Sequence, residues 1–214
     1  MDTKIQENLE KLINEFRDHK REVCYSQRPS LNETNHQQSI EHYRPKKKYY
    51  WLAFSWDNLL LVCSKCNNSK GEKFPIQGTM RSYQNTDMLR INELCYEYNE
   101  IEKPDVIHPV FEKVDDKIEF KNDGKMYSND QSVNITKDLF DLNRKYLTSI
   151  REEIINTLLT KISLGYLEGN YEEILRKEVQ FLIEQSEDNK SIYLLFKRYL
   201  LSNFNTMILT KIIP

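Results

Sequence analysis

From Lys137 onward the apolar residues recur at the period of a helix. Leu139, Leu142, Tyr146, Ile150, Ile154, Leu158 and Ile162 stand three or four apart, which lines them along one face of a 3.6-residue repeat. The spacing predicts one long helix ending near Gly165 and Gly169. Two more helical stretches follow at about 171–186 and 191–212, separated by the polar EDNK. The last third of the chain is therefore a helical layer. The same spacing in Ile5, Leu9, Leu12, Ile13 and Phe16 predicts an amphipathic helix within 3–22.

Between these ends the pattern changes. Residues 26–39 are polar and aperiodic and read as a loop. Residues 86–99 read as a short helix. DVIHPVFEKV and KIEFKNDGKMY, between Pro104 and Tyr127, alternate like strands, and Asn122-Asp123-Gly124 is a turn signal, so this stretch reads as a hairpin. The fold class expected is α+β. No run of 18 apolar residues is present, which excludes a membrane-spanning helix. The charged start MDTKIQENLEKLINEF is unlike a secretory signal. With no export signal, Cys24, Cys63, Cys66 and Cys95 point to metal or catalytic roles rather than disulfides, in a cytoplasmic, reducing setting.

Residues 40–75 differ in kind. Tyr43, Tyr49, Tyr50, Trp51, Phe54 and Trp56 fall among lysines. Over 40–73 seven basic residues oppose three acidic ones, a local charge of +4 in a chain whose net charge is -2. Such asymmetry fits a region that meets an anion, and on charge alone it fits a solvated lysine face equally well. Four features occur in order: Glu41-His42, Asn58, Cys63-x-x-Cys66, and Asn67 with Lys70. Phosphodiester hydrolysis needs a base able to deprotonate water near neutral pH, which imidazole supplies. It also needs a cation against the phosphate charge, and a carboxylate and an amide oxygen are suitable hard ligands for Mg²⁺. The cysteine pair has the spacing of a zinc knuckle, a spacing shared with redox motifs. Alone, each residue has an ordinary reading as well: a satisfied histidine, a surface carboxylate, or an asparagine capping a turn.

Taken together, E-H-Y-R-P, N-L-L-L-V-C and C-N-N-S-K resemble the HNH (ββα-metal) endonucleases. IEHYRPK, YYWLAFSWDNLLLVC, CNNSKGEKFP and DLFDLNRKYLTSIR resemble the HNH subunit of Septu-type bacterial anti-phage systems, also found with some retrons. The resemblance extends to about residue 151. It implies a metal-dependent nuclease acting on DNA, with His42 as general base and Asn58 bracing the loop that presents it. Glu41 and Asn67 would hold catalytic Mg²⁺ or Mn²⁺. Cys63, Cys66 and Cys24 would hold structural Zn²⁺. Arg44, Lys46, Lys47, Lys48 and Lys70 would meet the nucleic acid. A companion ATPase subunit is the implied partner. The family usually has a second C-x-x-C upstream, whereas here Cys24 is followed by Tyr25-Ser26-Gln27, so either Cys95 or His36 completes the zinc site or the zinc is weakly held or lost; Cys95 by itself reads as a buried free thiol. The expected organisation is an N-terminal helix plus nuclease core over 1–100, a short β-hairpin extension over 101–135 and a helical region over 136–214. The alternative function is a zinc-stabilised adaptor that binds nucleic acid or a partner with weak or no catalysis.

Overall fold

The structure, a computed structural model, describes residues 38–84, 90–188 and 193–212. The helix expected over 3–22, Cys24 and His36 lie outside the described residues. The chain divides into two units after Glu112. Among the described residues no helix is long and apolar enough to cross a membrane.

The first unit is built on a two-stranded antiparallel hairpin. Strand β1 is Gln38–His42 and β2 is Leu59–Cys63. Glu41 lies opposite Leu60, and His42 opposite Leu59. The strand β1 takes in the last two residues of the stretch read as a loop. Leu60, Leu61, Val62 and Cys63 are all buried, so β2 is covered on both faces and its apolar run needs no alternation. Helix α1, Ser64–Lys70, follows directly. The Cys63 thiol caps it, accepting a hydrogen bond from the Cys66 amide at 3.4 Å, and Gly71 ends it at φ 54°, a conformation glycine adopts without cost.

Helix α2 is Leu94–Glu102, a later start than the 86–99 expected, and Lys103 in the left-handed region ends it before Pro104. The run DVIHPVFEKV is not a strand. Phe111 and Glu112 amides donate back to the His108 carbonyl, and the Glu112 carboxylate accepts from the His108 amide at 2.7 Å. These bonds close a turn around Pro109, which lacks the donor a strand ladder requires.

The second unit opens with the expected hairpin, reduced to β3 (Glu119–Phe120) and β4 (Met126–Tyr127). Gly124 turns it at φ 71°, and a Cβ there would stand 2.1 Å from the Thr148 carbonyl oxygen. Helices α3 (Gln131–Leu139), α4 (Lys145–Glu168), α5 (Tyr171–Glu187), α6 (Leu194–Ser202) and α7 (Phe204–Met207) complete it. The single helix expected from Lys137 is therefore two. Asn143 causes the break. Its amide pairs both ways with the Met126 backbone, at 2.8 and 2.9 Å, and Asp141 sits at φ 49°. Arg151 on α4 then donates to the Gly124 and Leu142 carbonyls at 3.0 and 3.1 Å. Burial holds its guanidinium below the ordinary range, to about 10. The last helical stretch also divides, at Asn203, whose side chain bonds the Tyr199 carbonyl.

Candidate active site

His42 is the last residue of β1, and the chain bends at Tyr43 and Arg44. Its Nε2 lies 3.0 Å from the Ala53 carbonyl oxygen. A carbonyl only accepts, so Nε2 carries the hydrogen, and in the neutral ring Nδ1 then bears the lone pair. Burial lowers the His42 pKa, partly offset by that bond. The neutral imidazole, the form that accepts a proton, is thereby favoured.

Ala53 lies in the 16-residue loop from Tyr43 to Asn58, which carries two short 3₁₀ turns, Tyr50–Leu52 and Trp56–Asn58. Asn58 shapes this loop. It is fully buried. Its Oδ1 accepts from the Arg44 amide at 2.7 Å, and its Nδ2 donates to the Arg44 and Leu52 carbonyls, each at 3.1 Å. All three bonds go to backbone, so Asn58 acts by position.

By strand alternation Ser39 and Glu41 share a face opposite to that of His42. Helix α1 packs on the Ser39–Glu41 face. Asn67 Nδ2 donates to Ser39 Oγ at 3.0 Å and to the Ile40 carbonyl at 3.3 Å. Lys70, one turn later, forms a buried ion pair with Glu41 and donates to the His42 carbonyl at 2.8 Å. Burial pushes the Glu41 carboxyl up, against the pull of the Lys70 ammonium, and pushes Lys70 down. Among the described residues no group of three His, Cys, Asp or Glu is placed to hold a metal. What the site offers a cation is oxygen: the Glu41 carboxylate and Asn67 Oδ1, which has no hydrogen-bond partner among the described residues. That donor set fits a hard cation that keeps most of its own waters. Cys63 and Cys66 lie side by side at the start of α1, both buried.

One expectation gives way. Arg44 and Lys70, assigned to nucleic acid, are both 0% exposed, and their donors already face protein oxygens. Arg44 Nε pairs with Glu102 Oε2 at 2.7 Å, Nη1 donates to the Cys95 carbonyl at 2.7 Å, and Nη2 donates to Asn99 Oδ1 at 2.7 Å. Phosphate contact needs exposed donors, so neither side chain can serve there. Lys46, Lys47 and Lys48 are exposed, and Lys47 shares a surface ion pair with Glu72. Cys95 packs its thiol on Arg44 Nη1 at 3.1 Å, with Asn58 Oδ1 at 3.8 Å. Burial pushes that thiol up to about 11, which suits a structural cysteine and not a zinc-bound thiolate.

The sequence reading missed Glu102 and Asn99 as the anchors of Arg44, and Ala53 as the group that orients His42. A backbone carbonyl leaves no trace in residue identity. Glu102 sits in a polar run where nothing separates a buried carboxylate from its exposed neighbours.

Residues 27–73 match the family model described as HNH endonuclease. The chain is 26% identical over 168 residues to the Septu protein PtuA of Bacillus mycoides (strain KBAB4), covering 78% of this chain and 21% of that protein. It is 44% identical over 61 residues to the Septu protein PtuB of the same strain, covering 22% of this chain and 20% of that protein. The chain thus spans about a fifth of the length of the curated relatives it matches. No solved structure matches it. The strand–loop–strand–helix unit that carries Glu41, His42, Asn58 and Asn67 therefore lies within the stretch, residues 27–73, that matches the HNH endonuclease family model.

Proposed function

We propose that this chain hydrolyses phosphodiester bonds of DNA with a divalent cation, as the nuclease of a bacterial anti-phage system of the Septu type. The observation that carries the reading is His42 at a strand end, with Nε2–H fixed on the Ala53 carbonyl and Nδ1 left as the basic atom. Nδ1 accepts a proton from water as the water oxygen attacks phosphorus. One P–O ester bond breaks, giving a phosphate monoester and an alcohol whose oxygen takes its proton from solvent water, while the proton on Nδ1 passes back to solvent. Mg²⁺ or Mn²⁺, when bound, supplies positive charge against the developing charge on the phosphate. Glu41 and Asn67 are the residues that would hold it, and Lys70 keeps the Glu41 carboxylate in place. Asn58 keeps the loop in the shape that puts the Ala53 carbonyl against His42.

The relatives' names support the anti-phage setting, and an ATPase subunit of the same system is the partner proposed. Cys63 and Cys66 hold structural Zn²⁺ together with Cys24. Elemental analysis of the purified chain is expected to find about one zinc per chain, the ratio of one structural site; protein free of zinc but fully folded would remove that centre from the proposal.

The test of the reading is a supercoiled plasmid incubated with the chain in Mg²⁺ or Mn²⁺, with and without EDTA. Nicked or linear product that EDTA abolishes is the expected result. Plasmid left intact in both metals, with the ATPase subunit also present, would favour the adaptor reading. That alternative draws on the Glu41–Lys70 ion pair, which already neutralises the carboxylate a metal would use.

A further inference from the structure

We propose that the loop between β1 and β2 grips its substrate by stacking on bases. The site then takes unpaired nucleotides, in a single strand or displaced from a duplex, in preference to an intact double helix. This rests on the nuclease reading and names its substrate class.

The argument starts from what surrounds His42. Phe54 follows the residue whose carbonyl orients the imidazole, and it is 89% exposed. Ile40, two residues before His42 and so on the same strand face, is 52% exposed. Tyr50, earlier on the same loop, is 64% exposed. Single exposed apolar residues are ordinary, but here one shares the strand face of His42, one adjoins the residue that orients its imidazole, and one lies on the same loop. The fold does not lack places for aromatic rings, since Tyr43, Tyr49 and Trp51 of the same loop are all buried.

Tyr50 is also backed. Its ring meets Trp51 edge to face at a centroid distance of 5.1 Å and Tyr83 at 6.1 Å. Trp51 is itself tied to the Tyr98 hydroxyl at 3.2 Å. A ring supported from behind presents a fixed face, which is what a stacking platform requires. Immediately before it, Lys46, Lys47 and Lys48 stand exposed on a turn closed by the Pro45 carbonyl, which accepts from the Lys48 and Tyr49 amides at 2.9 and 3.0 Å.

The loop thus sets a block of exposed cations, Lys46 to Lys48, next to the exposed rings of Tyr50 and Phe54. A single strand matches that pairing, because it offers phosphates to ammonium groups and bare base faces to rings. An intact duplex offers the phosphates but hides the faces inside its stack. The ammonium groups select the polyanion, and the exposed rings select its unpaired form.

The experiment uses the full chain with His42→Ala in buffer without added Mg²⁺ or Mn²⁺, so that binding is read without cleavage and any structural zinc is kept. Fluorescence anisotropy compares a short single strand, the duplex of the same sequence, and that duplex with a central unpaired bubble. The single strand and the bubble are expected to bind roughly tenfold tighter than the duplex. Adding Phe54→Ala should cost about ten- to a hundredfold on the first two and little on the duplex. Phe54→Trp should retain the preference, and both variants should melt like the parent, since Phe54 is exposed. Equal binding of duplex and single strand overturns the proposal. So does Phe54→Ala without effect, or absence of binding to all three. Plasmid cleavage by the unmutated chain is read separately. If cleavage occurs and the preference does not, stacking alone fails. If the preference occurs without cleavage, the nuclease reading alone fails.

Discussion

His42→Ala is expected to lower cleavage by about 10²- to 10⁴-fold, the contribution of a positioned general base, while the fold survives. The second half of that statement follows from the geometry. His42 is half-buried at the end of a strand, and among the described residues its side chain makes one hydrogen bond, to the Ala53 carbonyl. Losing one such bond costs about 1 kcal/mol. Circular dichroism and a thermal melt beside the plasmid assay separate the two effects. A variant that melts like the parent and still cuts at the parent rate would remove His42 as the base. A variant that does not fold would instead show that the imidazole is structural.

The largest effect on stability belongs to Arg44. Its guanidinium and the Glu102 carboxylate are both 0% exposed and 2.7 Å apart. Arg44→Met leaves a buried carboxylate without its cation, at a cost of about 3–5 kcal/mol. Glu102→Leu leaves the guanidinium stranded and should cost a similar amount. Removing both together is expected to restore most of the loss, because a buried ion pair is worth little against a well-packed apolar pair and much against half of itself. Chemical denaturation of the two single variants and the double reads this as a cycle. Additive losses would show that the two side chains do not act through each other. Cleavage should fall in the single variants too, since Asn58 holds the Arg44 backbone at both its amide and its carbonyl.

Local chemistry was legible where it depended on order along the chain. The sequence E-H, N, C-x-x-C-N-x-x-K identified the unit that matches the HNH family model, and LLLVC before SKCNNSK marked a strand running into a helix. The pieces that could not be read are those decided by distant partners. Arg44 looks like a phosphate contact because arginine in a lysine-rich run normally faces solvent, and only Glu102, 58 residues on, reverses that. Lys70 is the same case with Glu41, 29 residues earlier. The long helix expected from Lys137 has an unbroken apolar period, so nothing in its spacing shows that Asn143 will leave it to pair with Met126.

The brace around Arg44 also decides how the first unit can be divided. The family model ends at residue 73, but the loop's partners lie later. Glu102, Asn99 and Cys95 hold the guanidinium, the Val106 carbonyl accepts from the Tyr43 hydroxyl at 2.5 Å, and His108 lies 3.0 Å from the Asp57 carbonyl. A fragment cut at residue 73 would keep every residue of the motif and lose each of these partners. The smallest self-sufficient piece runs at least through the turn at His108–Glu112. The connection from residue 73 to α2 belongs to the same unit, since the Gln77 and Gly78 amides donate to the Lys103 and Glu102 carbonyls at 3.1 and 2.8 Å and the Arg81 amide donates to Glu102 Oε1 at 2.8 Å. The recognisable motif and the unit that can be inherited or exchanged intact are therefore different lengths of chain.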